Sequence, residues 1–553
     1  MTITPAPTHV YFRPASEIQS ILDQMSLDEK IGQVMVVGFE GTDLTPGIHE
    51  MITRYHAGGI ILFARNVQSP QQLAQLNNAM QKAALDSGHP GLIISIDQEG
   101  GRVARLKENQ GFTEFPGAMA IAATGKVENA RVIARSLAQE MKAVGINADF
   151  APDLDVNNNP DNPVINIRSF SSDPQMVAEY GVAYLEGLQE NGVMAFGKHF
   201  PGHGDTNIDS HVSLPVVPYD RARLETVEFV PFIAAMKANV AGIMSAHIIF
   251  PAIESTPNLA GTLSPKVMTT LLRDELGYDG LLVTDSLEMG ALATSGYSTA
   301  AAAAQALLAG ADLLLLCHKQ DEQIEAFNLI KSKIEKGEIP LERLDEAVAR
   351  VLTAKARFNI LSPEQVSEAL LASSVFTPDN RQTAVEIATQ SITLLKNEGN
   401  ILPLTPQQKI LVIENPSVRG ISAVLNGTAA LIDENPTREQ ISNILSTAAA
   451  MQNMYGDDFV VVFFSIDATL HRDQVKIVDG LAKSNIKFVV VAVRMPYDLL
   501  VFKNVPAYVV TCDTTPAMLS ALPGFLFGRY LPQGHLPVEI PDFFPVLSGM
   551  EEF

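Results

Sequence analysis

The densest run of reactive side chains in this 553-residue chain is Lys198-His199-Phe200-Pro201-Gly202-His203-Gly204-Asp205-Thr206-Asn207-Ile208-Asp209-Ser210-His211. A single histidine is more often a satisfied structural residue. Three of the chain's 11 histidines in one loop, beside two aspartates, instead point to proton transfer or ligand binding. Asp285 follows the apolar run Leu281-Leu282-Val283-Thr284 and precedes Ser286-Leu287-Glu288-Met289-Gly290. A carboxylate at the end of a buried strand is held firmly enough to act as a nucleophile, although the same residue types also cap helices. Asp97-Gln98-Glu99-Gly100-Gly101-Arg102-Val103-Ala104-Arg105 mixes acceptors and donors as a polyhydroxyl ligand requires, and a structural ion pair would use the same groups. Asn162-Pro163-Val164-Ile165-Asn166-Ile167-Arg168-Ser169-Phe170 adds a loop arginine.

Short apolar runs must position these groups. They lie at 34–39, 59–64, 92–97, 147–152, 193–200, 242–249, 281–286 and 313–318, with helical segments at 128–144, 176–191, 221–238, 264–276 and 299–310 between them. Continuous apolar strands alternating with helices mark parallel strands covered on both faces, and about eight of them predict a (β/α)8 barrel over residues 1–360. Such barrels carry their chemistry on the loops after each strand, which is where Asp97, Asp153, Lys198, His199, His247 and Asp285 fall.

Residues 361–378, with Ser362, Pro363, Ser373, Ser374 and Pro378, read as a linker around a short helix. Residues 379–553 follow as a smaller three-layer αβα domain, with strands predicted at 409–414, 459–466, 487–493 and 507–512. None of its turns carries a glycine-rich phosphate-binding pattern, so no nucleotide cofactor is implied. Lys plus Arg total 39 against 62 Asp plus Glu, a net charge of −23 that argues against a nucleic-acid partner. Met1–Val10 lacks the basic and apolar regions of a secretory signal, no apolar run is long enough for a membrane span, and Cys317 and Cys512 read as buried small hydrophobes. A cytoplasmic setting is the resulting expectation.

Together, KHFPGHGDTNIDSH (198–211), VTDSLEMGAL (283–292), IDQEGGRVARL (96–106) and RSFSSDP (168–174) resemble glycoside hydrolase family 3, in its bacterial β-N-acetylglucosaminidase branch. The likeness runs in order over most of residues 20–360, and SITLLKNEGNILPL (391–404) resembles the second domain of two-domain members. The resemblance implies a covalent intermediate on Asp285, with His211 as acid/base paired to Asp209. It implies sugar contacts from Asp97, Arg105, Arg168, Lys198 and His199. No metal or organic cofactor follows from it. Asn166 departs from the glycine or acidic residue that relatives often carry near the arginine.

Those identities make chemical sense. A retaining mechanism ordinarily uses two carboxyls about 5 to 5.5 Å apart, one ionised and one protonated. An imidazole, with a reference pKa of about 6.5, can replace the protonated one when a carboxylate fixes its tautomer. Glycines and a proline in the loop would let His211 swing in and out. The implied activity is exo-cleavage of terminal N-acetylglucosamine from peptidoglycan fragments or chitin oligomers.

Other readings remain at this stage. A histidine base would not repel phosphate, so the same residues suit a β-N-acetylglucosaminide phosphorylase. A β-glucosidase fits the Asp209-Ser210-His211 triplet less well, a sugar-binding protein on a retired barrel would need no intact triad, and His199, His203, Asp205, Asp209 and His211 are possible metal ligands. The C-terminal domain is expected to be structural or to form a homodimer. A muropeptide is anionic, so Lys198, Arg168 and Arg105 are expected to attract it against the overall charge.

Overall fold

The computed structural model describes residue 12 and residues 14–553. The reading of Met1–Val10 as lacking a signal lies outside the described residues. Eight parallel strands form the first sheet: β1 (Met35–Val37), β2 (Gly59–Leu62), β3 (Ile93–Ile96), β4 (Ala148–Asp149), β5 (Met194–Phe200), β6 (Gly242–Ser245), β7 (Leu281–Thr284) and β8 (Leu314–Leu316). Their order is sequential, β1 pairs with both β2 and β8, and a bridge between Val283 and Leu313 joins β7 to β8. The sheet therefore closes on itself, and each predicted barrel strand corresponds to an observed one.

The strand runs are apolar on both faces because each face is covered. Val36, Ile61, Ile93, Phe150, Phe196, Leu281 and Leu315 fill the barrel interior, while their neighbours in sequence pack outward on the helices. Full burial of one such side chain contributes about 1.5–3 kcal/mol. At Gly242 a Cβ would fall 2.0 Å from the Phe196 ring, so the interior packing itself demands glycine there. The helix predicted over 221–238 is two, Arg221–Thr226 and Phe229–Lys237, with Pro231 tolerated in the first turn of the second. Lys266–Glu275 winds as a π-helix.

Helix Glu368–Ser374 precedes helix Pro378–Ser391, which leads into a second, six-stranded sheet. Its strands are β9 (Thr393–Asn397), β10 (Lys409–Glu414), β11 (Thr428–Leu431), β12 (Phe459–Ser465), β13 (Phe488–Ala492) and β14 (Ala507–Val510), in the order β11-β10-β12-β13-β14-β9. All pairs are parallel except β14 with β9. The sequence pattern missed β9 and β11. Two of four positions in β11 are alanine and the strand lies at the exposed sheet edge, so it lacks the β-branched run that marks a covered strand. Val461 and Phe463 pack toward Ile441 and Ile477 of two helices on one face. Val460 and Val462 share a core with Ile387 and Met518 on the other, so helices cover both faces. No helix among the described residues is long and apolar enough to cross a membrane.

Candidate active site

Asp97, Arg105, Arg168, Lys198, His199, His211 and Asp285 line one cavity of about 370 Å³ at the carboxyl ends of the barrel strands. Asp209, which does not line it, stands behind His211. The floor is a buried charge network. Lys198 Nζ donates to Asp97 Oδ1 at 3.0 Å and pairs with Glu99 Oε1 at 2.6 Å. Arg168 donates to both Glu99 oxygens, from Nε at 2.9 Å and Nη2 at 2.8 Å, and lies 3.5 Å from Asp153 Oδ2. Arg105 reaches Asp97 Oδ2 at 3.4 Å.

Burial by itself would raise both carboxyls, but Lys198 and then Arg105 hold Asp97 below the usual range, and Arg168 and then Lys198 do the same for Glu99. Burial would likewise lower Lys198, yet Glu99 and Asp97 raise it. Every one of the three cations expected to attract an anionic ligand is thus already paired with carboxylates. That expectation is corrected: this cluster is an array of fixed donors and acceptors already paired with one another.

His199 is held neutral, its pKa pushed down to about 3 by burial and then by Arg168. Its Nδ1 lies 2.7 Å from Asp155 Oδ2, which leaves Nε2 toward Arg168 and the cavity. Asp155 also accepts the backbone N–H groups of His199 and His203, while burial raises it to about 6. Asp153, Asp155 and His199 bring ligand atoms within 4.8 Å of one another, the only such group among the described residues. The Arg168 guanidinium already faces Asp153, so the local cation is a side chain and a metal would meet like charge. The other imagined ligands point elsewhere: His203 bonds Thr206 Oγ1 at 2.8 Å and Ser210 Oγ at 3.0 Å.

That last contact ties the middle of the loop to the residue before His211. The His211 side chain is 62% exposed, and its Nδ1 lies 2.7 Å from Asp209 Oδ1, which also accepts the His211 backbone N–H at 2.9 Å. Burial opposes the charged form of Asp209, but these bonds from His211 hold its pKa below the ordinary value. The loop end is clamped where Gly290 N–H donates to the His211 carbonyl at 3.2 Å; a Cβ on Gly290 would sit 2.6 Å from that oxygen.

Asp285 is not a helix cap, since the next helix begins at Gly290 with Met289 before it. Its Oδ1 accepts the Ser286 N–H at 2.7 Å, and His247 Nε2 donates to the Ser286 carbonyl at 2.9 Å. Sequence reasoning did not single out Glu99, Asp155 or Glu288 as site residues. Glu288 accepts backbone N–H groups from Cys317 at 2.6 Å and His318 at 2.9 Å, pinning the loop after β8 against the cavity. Glu99 and Asp155 each lie two residues beyond a residue that was singled out, so period-two reading past the strand end was the available signal for them; Glu288, three residues beyond Asp285, follows no such period.

Asn166 has a different explanation. Its φ of +51° lies in the left-handed region, which glycine and asparagine tolerate, and its Nδ2 donates to Asp467 Oδ1 of the C-terminal domain at 3.1 Å. Tyr497 of that domain also donates to the Asn157 carbonyl at 2.9 Å. The second domain therefore abuts the loops that carry Arg168.

A closed parallel barrel whose mouth cavity holds a carboxylate and a histidine backed by an aspartate suits glycoside cleavage. The chain belongs to glycosyl hydrolase family 3: it matches the family's N terminal domain over residues 26–354 and its C-terminal domain over 392–545. It is 38% identical over 395 residues to beta-hexosaminidase A of Pseudoalteromonas piscicida, covering 68% of this chain and 65% of that protein, just under two thirds. It is 32% identical over 437 residues to a beta-N-acetylglucosaminidase/beta-glucosidase of Cellulomonas fimi, covering 77% and 75%. Among solved structures, a family 3 β-N-acetylglucosaminidase from Paenibacillus sp. str. FPU-7 superposes with a TM-score of 0.86 at 36% identity, covering 95% of this chain and all of that one. A β-glucoside phosphorylase shares the fold, with a TM-score of 0.80, at 23% identity.

Proposed function

We propose that this hydrolase is an exo-acting, retaining β-N-acetylglucosaminidase that releases terminal N-acetylglucosamine from peptidoglycan fragments or short chitin oligomers. The observation that carries this reading is Asp285 and His211, backed by Asp209, at one cavity, in a chain 36% identical to an enzyme named β-N-acetylglucosaminidase and 38% identical to one named beta-hexosaminidase A. Asp97, Arg105, Arg168, Lys198 and His199 bind the sugar hydroxyls. An Asp285 oxygen attacks the anomeric carbon as its bond to the aglycone oxygen breaks, and His211 Nε2 gives that oxygen a proton. Asp209 holds Nδ1–H, which directs Nε2 to the reaction and stabilises the imidazolium. Water then attacks the same carbon, gives its proton to neutral His211, and displaces Asp285.

NMR of the first-formed sugar tests this: β-configured N-acetylglucosamine is expected from an aryl β-N-acetylglucosaminide, and the α-anomer would overturn the double displacement. Running the reaction in phosphate tests the phosphorylase alternative, for which N-acetylglucosamine 1-phosphate is the signature. The match boundaries at 354 and 392 support a division into a catalytic barrel (1–360), a linker (361–378) and an αβα domain (379–553). Cys317 and Cys512, free and buried, fit work in the reducing cytoplasm on recycled wall fragments, which cell fractionation tests. Exposed Val424 and Leu431 at the β11 edge support a homodimer, which sedimentation equilibrium tests.

A further inference from the structure

The cavity's own cations are neutralised, so any preference for a charged leaving group must come from its rim. Gly100-Gly101-Arg102-Val103 makes a tight hairpin there, with Glu99 N–H donating to the Val103 carbonyl at 2.9 Å and Val103 on the cavity wall. The turn needs φ of +84° at Gly100 and +55° at Gly101, and a Cβ at Gly101 would sit 2.8 Å from Gly117 Cα. It is also held by Gly101 N–H on the Phe115 carbonyl at 2.8 Å, and it faces Asp513 Oδ1 of the C-terminal domain. A rigid backbone thus presents the exposed Arg102 side chain at the seam between the two domains.

Across that seam Arg494 is occupied: it donates to Asp467 Oδ2 at 3.0 Å, and Glu434 lies at 4.0 Å. Arg102 makes no hydrogen bond or ion pair among the described residues, in contrast to Arg105, Arg168 and Arg494. Partial desolvation, and then the charge of Arg494, lower its pKa, with Asp467 opposing; the group is a guanidinium short of counter-charge. An anion placed against it would gain a charge-assisted, forked contact without displacing an existing partner.

We infer that Arg102 is a specificity residue of the leaving-group side, where it binds a carboxylate carried by the aglycone, as in N-acetylmuramic acid, whose lactyl ether bears one. This rests on the glycosidase reading and deepens it, because the hydroxyl-binding floor treats muropeptides and chitobiose alike. The hairpin supplies the discrimination, and the C-terminal domain's Arg494 keeps the local acids engaged.

The test compares kcat/KM for N-acetylglucosamine β-linked to N-acetylmuramic acid with kcat/KM for chitobiose, in the full chain and in Arg102→Ala and Arg102→Lys. The muramyl-to-chitobiose ratio is expected to fall about tenfold in Arg102→Ala, mostly through KM, and to keep an intermediate value in Arg102→Lys. Raising NaCl should lower the ratio in the parent chain and leave it flat in Arg102→Ala. A ratio unchanged by Arg102→Ala, with both disaccharides still cleaved, overturns this inference alone. Failure of the parent chain to cleave an aryl β-N-acetylglucosaminide overturns the glycosidase reading and this inference with it. If inorganic phosphate instead yields N-acetylglucosamine 1-phosphate and Arg102→Ala removes that product, the arginine serves the acceptor, and the aglycone assignment is wrong.

Discussion

Both domains place buried carboxyls just beyond the carboxyl ends of parallel strands, and Asp97 and Glu99 of the barrel behave oppositely to Asp498 and Asp513 of the C-terminal domain, while the barrel's own Asp149, Asp153 and Asp155 are raised by burial as the latter are. In the barrel, Asp97 and Glu99 face Lys198, Arg105 and Arg168 and are held ionised below the usual range. In the C-terminal domain, burial and then Asp467 push Asp498 up to about 7, and burial pushes Asp513 to about 7. Their partners are hydroxyl and backbone N–H groups: Ser465 Oγ donates to Asp498 at 2.6 Å, the Ala468 N–H at 2.5 Å, and the Thr515 hydroxyl bonds Asp513. Position in an α/β sheet therefore does not make a site. At Asp97 and Glu99 it is the cation partners that keep the carboxylates charged and oriented, where we propose that sugar hydroxyls donate.

The comparison is sharpest at the residues proposed to react. Asp285→Ala is expected to lower kcat by about 10⁴-fold or more while leaving the fold intact, since among the described residues its side chain accepts only a neighbouring N–H. A variant that kept a tenth of the activity would move the nucleophile elsewhere. His211→Ala should cost about 10²–10⁴-fold on a disaccharide and far less on an aryl substrate whose phenolate leaves without a proton. Equal losses on the two substrates would remove the acid role.

The charge network can be broken directly. Lys198→Met leaves Asp97 and Glu99 short of a buried cation and should cost about 3–5 kcal/mol, read as a fall in Tm together with a raised KM. A variant as stable as the parent would mean that Arg168 and Arg105 suffice. The smallest effect belongs to the other domain. Because Asp498 is protonated in the fold up to about pH 7 and ionises near 4 when unfolded, stability should fall as pH rises through that interval. Asp97 and Glu99 have the reverse sign: their contribution is present above the unfolded carboxylate value and is lost as the pH falls below it. Asp498→Asn should flatten the loss of Tm between pH 5 and pH 8 by about 2–4 °C for each kcal/mol removed. An unchanged slope would show that Asp498 stays ionised.

Much of the architecture was legible because a strand buried on both faces must be continuously apolar, as in Met194–Phe200 and Phe459–Ser465. The antiparallel β9 and the alanine-rich edge strand β11 escaped because neither carries that signature. At the site, residue types and order identified Asp97, Arg168, Lys198, His199, His211 and Asp285 as candidates. Pairing was invisible: Glu99 is separated by 69 residues from the arginine it holds and Asp97 by 101 from its lysine.

The sequence by itself thus determined the strand and helix pattern, the family, and the local Asp209–His211 pair, whose partners are two residues apart and need no long-range contact to meet. Only the tertiary structure decided which charges are spent. Closing the barrel brings the loops after β3, β4 and β5 into one mouth, where low dielectric makes every unpaired charge costly. Lys198, Arg105 and Arg168 are consumed there by carboxylates, while the Gly100–Gly101 turn carries Arg102 out to the domain seam without a partner among the described residues.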